Sequence, residues 1–195
     1  RKNKNYAAAD QIRADLLAHQ LDFYWRMQQP DKVRSIVPEL AQALNYANTE
    51  RVRYYASYIL GQAYQQANRL EEALQAYQQA YRSIENSSHP RTKGRLLSVN
   101  LLLARLNTSL AYHDKALQIL NKSIDVALAD DKYHGLLADF YLAKGVLFTE
   151  QNLLPAAEQA YQQGLQWSEQ LHNKPIMALA LNNLGDVRMR QQRYG

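Results

Sequence analysis

The sequence predicts an all-α fold of about four and a half helix pairs, and three observations predict it. Ala, Leu, Gln and Tyr are abundant while Val and Ile are scarce, a balance that favours helix over strand. With only 7 Gly and 5 Pro in 195 residues, little chain is left for loops. The segment ALQAYQQAY (73–81) returns as AEQAYQQGL (157–165), so Gly61 and Gly145, Ala73 and Ala157, and Tyr77 and Tyr161 are each 84 residues apart. Turn formers, caps or prolines recur at QQPD, ANTE, QANR, NSSHP, SLAYH, ADDK, QNLLP and HNKP, each able to end one helix and begin the next.

Taken in order, the helices are expected over about 9–28, 31–46, 50–67, 70–86, 93–110, 113–129, 132–151, 154–171 and 175–192. The first pair (9–46) carries Leu21, Tyr24, Val33, Val37 and Leu40. Pro30 stands at its turn, and Pro38 is expected to kink the second helix or delay its start. The second pair (50–86) carries Leu60, Gly61 and Tyr64, then Ala73, Tyr77 and Ala80. Gly in a helix interior costs roughly 1 kcal/mol relative to Ala, so Gly61 needs a reason. Close approach of the two helices, with Tyr64 and Tyr77 filling the space around it, supplies one.

Halving the 84-residue spacing points to a further unit between the two strong copies, and HDKALQILNKSI (113–124) lies there. This third pair (93–129) is degenerate, with Ala104, Ala116, Leu120 and Ser123. The fourth (132–171) repeats the second with Tyr141, Gly145, Phe148, Ala157, Tyr161 and Gly164, and Pro155 opens its second helix. The fifth (175–195) has only a first helix, with Leu181, Leu184, Gly185 and Tyr194. The chain therefore reads as a single array cut from a longer protein. Its truncated C-terminal helix is expected to expose an apolar face, a possible route to self-association.

These residues resemble the tetratricopeptide repeat family, in which Leu-Gly and an aromatic mark the first helix and small–aromatic–small the second. The resemblance covers nearly the whole chain and implies a right-handed α-α superhelix. The period of 40–43 residues exceeds the family's usual 34 by about one turn in each helix. Long units of this kind are similar to those of kinesin light chains and of bacterial regulatory and sensor proteins.

The search for chemistry ends in exclusions. No cysteine is present, which removes disulfides and thiolate metal sites and fits either cytoplasm or periplasm, with the cytoplasm favoured. The five histidines never form the i, i+4 pair of zinc helices, no glycine-rich phosphate loop occurs, and no serine sits in a nucleophile elbow. Glu71–Glu72 and Asp130–Asp131 stand at helix starts, where the dipole favours them. No catalytic residue, metal or cofactor is expected. The net charge of +5 is scattered, with RKNK (1–4) and RTKGR (91–95) its densest runs, so nucleic acid is not an expected partner. No run of about 18 apolar residues occurs, so no membrane contact is expected from this segment.

The resemblance further implies that first helices line a concave groove. Counted from each unit's glycine or its equivalent, the groove residues are Asp22, Trp25 and Arg26; Tyr58, Gln62 and Gln65; Arg105; Leu142 and Glu150; and Asn182, Asp186 and Arg190, to which the resemblance adds Asn183. Gln66, Thr108, Ser109, Val146, Thr149 and Met189 share that face. Trp25 reads first as packing beside Tyr24 and only second as a groove residue. Asn182–Asn183 resembles the asparagines with which family members hold peptide backbones. The basic clamp of chaperone-binding relatives is replaced by Ala18, Tyr58, Leu101 and Leu142.

The function expected is a non-enzymatic protein-interaction module that holds a peptide or partner helix, within a larger bacterial regulatory or sensory protein. The alternatives are a structural spacer or dimerisation scaffold acting through its ends, and a small-ligand sensor domain.

Overall fold

The computed structural model describes residues 2–47 and 49–194. Among them are nine α-helices, one 3-10 segment and no strand. The helices are α1 (Lys2–Arg26), α2 (Pro30–Leu44), α3 (Glu50–Gln66), α4 (Leu70–Ile84), α5 (Thr92–Ser109), α6 (His113–Leu128), α7 (Leu137–Glu150), α8 (Leu154–Gln170) and α9 (Lys174–Tyr194). The side chains of RKNK and Tyr194 lie outside the described residues. The chain forms two compact units, residues 1–99 and 100–195, with α5 crossing the boundary.

Two helix starts depart from the sequence reading, and one of the two outcomes expected at Pro38 is excluded. α1 begins at Lys2, not near residue 9. Pro38 does not delay α2, which begins at Pro30 and continues through Pro38 to Leu44. The helix expected from residue 132 opens instead as the 3-10 segment Asp131–Leu136, and α-geometry begins only at Leu137. Asp130 caps that segment by accepting a hydrogen bond from the Lys132 amide at 3.2 Å.

The turns inside the pairs share one device. Gln28, Asn68, Ala111 and Asn152 each adopt a positive φ, between 52° and 59°. At each, two amides reach back to the end of the preceding helix, as where Ala111 N–H donates to Thr108 O at 2.9 Å and Tyr112 N–H to Asn107 O at 2.7 Å. This left-handed cap satisfies carbonyls that the helix end leaves open and reverses the chain in a few residues.

In the first unit, Ala14, Leu17, Ala18 and Leu21 of α1 pack with Leu40 and Leu44 of α2 and Ala56 and Leu60 of α3. In the second unit, Leu142, Leu154, Ala157, Tyr161, Ala180, Leu184 and Val187 join α7, α8 and α9. Each strong pair has an aromatic ring against a bare glycine. A Cβ placed on Gly61 would lie 2.6 Å from Cε1 of Tyr77, and one on Gly145 would meet the Tyr161 ring as closely. Tyr77 is fully buried, so its ring has nowhere to retreat. In the degenerate pair Ala104, Ala116 and Leu120 are fully buried in the corresponding roles.

Candidate functional site

In the first unit the expected groove residues divide between self-pairing and packing. On α1, Asp22 and Arg26 form an i, i+4 ion pair at 3.0 Å. The Asp22 carboxylate also accepts from Tyr55 on α3; burial, and next this carboxylate, raise the Tyr55 phenol above its usual range. Trp25 is half-buried against the unit's core. Tyr58 packs there too, stacked on Tyr54 at 5.9 Å and edge-on to Tyr77 at 5.9 Å. Gln65 accepts a hydrogen bond from the Tyr77 hydroxyl at 3.2 Å, while Gln62 is half-buried beside it on α3.

In the second unit four expected residues come together. Arg105 of α5, Leu142 and Glu150 of α7, and Asn183 of α9 line one cavity of about 440 Å³, with Thr108, Ser109 and Val146. Three first helices build it, because residues a turn apart on each present one face. Asn182 is exposed outside this lining, and Asp186 and Arg190 form their own i, i+4 ion pair at 2.9 Å.

The chemistry of this cavity is mixed. Its wall is apolar, with Leu142, Ala143, Val146 and Leu179; the last two keep 40% and 49% of their surface exposed. Arg105 spends one arm on Asp139, donating to Oδ1 at 3.0 Å, which ties α5 to α7. The hydroxyls of Thr108 and Ser109 donate to the carbonyls of Ala104 and Arg105 at 3.0 and 3.2 Å, so toward a ligand their oxygens act as acceptors. Asn183 brings an amide that both donates and accepts, and Glu150 a carboxylate.

Ala143, Leu179 and the Arg105 partner Asp139 were missed from sequence. Asp139 and Leu179 each stand six residues before their unit's glycine, one turn beyond the register used, and a helix face extended by that turn reaches both.

Among the described residues no group of three or more His, Asp or Glu side chains is placed to hold a metal ion. Nor is any helix there long and apolar enough to cross a membrane.

Comparison with known proteins places this geometry among helical repeats. The family described as "Cohesin loading factor" matches residues 5–192. No curated protein matches the chain in sequence. Among solved structures, BtubC from P. vanneervenii superposes with a TM-score of 0.69 at 18% identity, covering 95% of this chain and 77% of that one. The apo form of RapI gives a TM-score of 0.80 at 14% identity, covering 93% of this chain and 65% of its own length. A MamA RS-1 double mutant gives 0.56 at 12% identity, with 92% and 96% covered. At these identities the likeness is one of fold, and the all-α helical-repeat fold of tetratricopeptide type stands.

Proposed function

The chain belongs to the cohesin loading factor family, and from that premise we propose a non-catalytic protein-interaction module that holds an extended peptide or partner helix. The family's description supports the loading of cohesin as the setting of that interaction. A larger bacterial regulatory or sensory protein is the alternative setting, drawn from the long repeat, and it would use the same surface. The five repeat units act in this reading as one module.

One observation carries the reading: the cavity where α5, α7 and α9 present an apolar wall beside an amide, two hydroxyl acceptors and charges of both signs. A peptide needs both kinds of group, because its backbone donors and acceptors lose water on binding while its side chains seek apolar surface. Val146 and Leu179 suit an apolar anchor, and Asn183 the backbone beside it. A spacer acting only through its ends has no use for such a lining.

The experiment is selection of 12-residue peptides from a display library on the intact chain, followed by binding to Asn183→Ala and Val146→Glu variants of unchanged helicity. Selected peptides should lose at least about tenfold in affinity, or roughly 1.4 kcal/mol. Peptides that bind both variants as well as the parent would refute the reading.

A further inference from the structure

α1 is apolar on two opposite faces. Ala14, Leu17, Ala18 and Leu21 face the core of their unit. Ile12, Leu16 and Phe23 point the other way, with Met27 one residue past the helix end, its N–H still donating to Phe23 O at 3.0 Å. They keep 60%, 57%, 56% and 55% of their surface exposed. At 100° per residue these four fall within roughly 60° of one another, in a stripe about 22 Å long and nearly opposite the core face. A soluble surface helix is normally polar on its outer side, and a helix apolar on both sides is a buried one.

The order of the stripe says what buries it. The spacings of 4, 7 and 4 residues read the same in both directions, with their centre between His19 and Gln20. We propose that a second copy of this chain covers α1, its own α1 running antiparallel about a two-fold axis at that centre. Such an interface must be complementary to itself, because each residue meets its counterpart by symmetry. The axis sets Ile12 against Met27 of the second copy and Leu16 against Phe23 of the second copy, and brings the two exposed Gln20 amides together. Arg13 and Arg26 fall on opposite edges of the seam, and each already has a carboxylate of its own: Glu39 at 3.6 Å and Asp22 at 3.0 Å. No arginine, lysine or carboxylate meets its like across it, and the two His19 imidazoles that meet on the edge opposite Gln20 each have their own Asp15 at 3.8 Å. This surface lies wholly within the first unit and is independent of the cavity on α5, α7 and α9.

The chain has no cysteine, so introduced thiols report the register cleanly. Leu16→Cys and Phe23→Cys are purified separately and oxidised alone and mixed. The pairing predicts a disulfide-linked dimer in the mixture at least tenfold faster than in either variant alone, since each residue lies about 10 Å along the axis from its own copy. The unmodified chain should sediment as a dimer at about 100 μM, and Leu16→Glu, checked for unchanged helicity, as a monomer. A parent that stays monomeric overturns the proposal, as does a single variant that crosslinks with itself as fast as the mixture. A dimer dissolved by Leu181→Glu on α9 and not by Leu16→Glu overturns it too. So does a longer chain whose added N-terminal residues shield the thiol of the Leu16→Cys variant and keep the protein monomeric.

Discussion

The ring of Tyr77 lies directly over the bare α-carbon of Gly61, where an added methyl would come within 2.6 Å of it. The ring is fully enclosed, so Gly61→Ala must displace either the ring or the two helices. Overpacking of this kind costs about 1–3 kcal/mol, and the helix-propensity gain of Ala offsets at most about 1. Gly61→Ala and Gly145→Ala are expected to lower the urea midpoint without changing the slope. Gly185 has nothing within 4 Å of the same position, so Gly185→Ala should raise stability by roughly 0.5–1 kcal/mol. Three urea titrations check the contrast, and equal effects at Gly61 and Gly185 would remove the packing explanation.

Ala111 holds a left-handed conformation, φ 59°, that suits glycine. A side chain there costs about 1–2 kcal/mol, of which glycine returns part through its greater freedom in the unfolded chain. Ala111→Gly should therefore stabilise by about 0.5–1 kcal/mol, read as a higher thermal midpoint. At Asn68 and Asn152, in the same turn, the native residue already tolerates this region, and replacement by glycine should gain less.

These positions show where sequence reading reached and where it stopped. The spacing of Gly61 and Tyr77 against Gly145 and Tyr161 carried the helix pairing, because a close approach permits few residue types. SLAYH marked the break at Ala111 but not its left-handed conformation, which comes from the return of the chain and which alanine does not announce. The 3-10 start at Asp131–Leu136 was hidden for a similar reason, since its residues suit either helix type. In the cavity, Arg105, Leu142 and Glu150 followed from a register counted off the glycines, and Asn183 only from the resemblance of the Asn182–Asn183 pair to peptide-holding asparagines. Leu179 did not, because an apolar residue on an end helix reads as core until its exposure is known.

Pro38 is exposed inside α2 and offers no N–H to the helix ladder. Little packing is lost with its ring, so Pro38→Ala should raise stability, by up to about 3 kcal/mol if the backbone closes its missing bond. Hydrogen exchange checks the cause: the amide created at position 38 should be protected in the variant. A stabilised protein with a fast-exchanging amide there would point to the unfolded chain instead.

Burial, and next the neighbouring Tyr58, push the Tyr77 phenol far above its ordinary value near 10. The folded chain therefore keeps this proton where the unfolded chain gives it up. The contribution is fully present below about pH 10 and declines as pH rises above it, by up to about 1.4 kcal/mol per pH unit for one proton. Tyr54, Tyr58, Tyr141 and Tyr161 are raised as well, each chiefly by burial, so the parent's loss should be steep. Tyr77→Phe keeps the ring over Gly61 but gives up the hydrogen bond to Gln65, costing about 0.5–1.5 kcal/mol at pH 8. Between pH 10 and 11.5 its stability should then fall more gently than the parent's, by close to one proton's worth. Urea midpoints across that range decide the matter, and parallel curves for parent and variant would mean that Tyr77 titrates alike in both states.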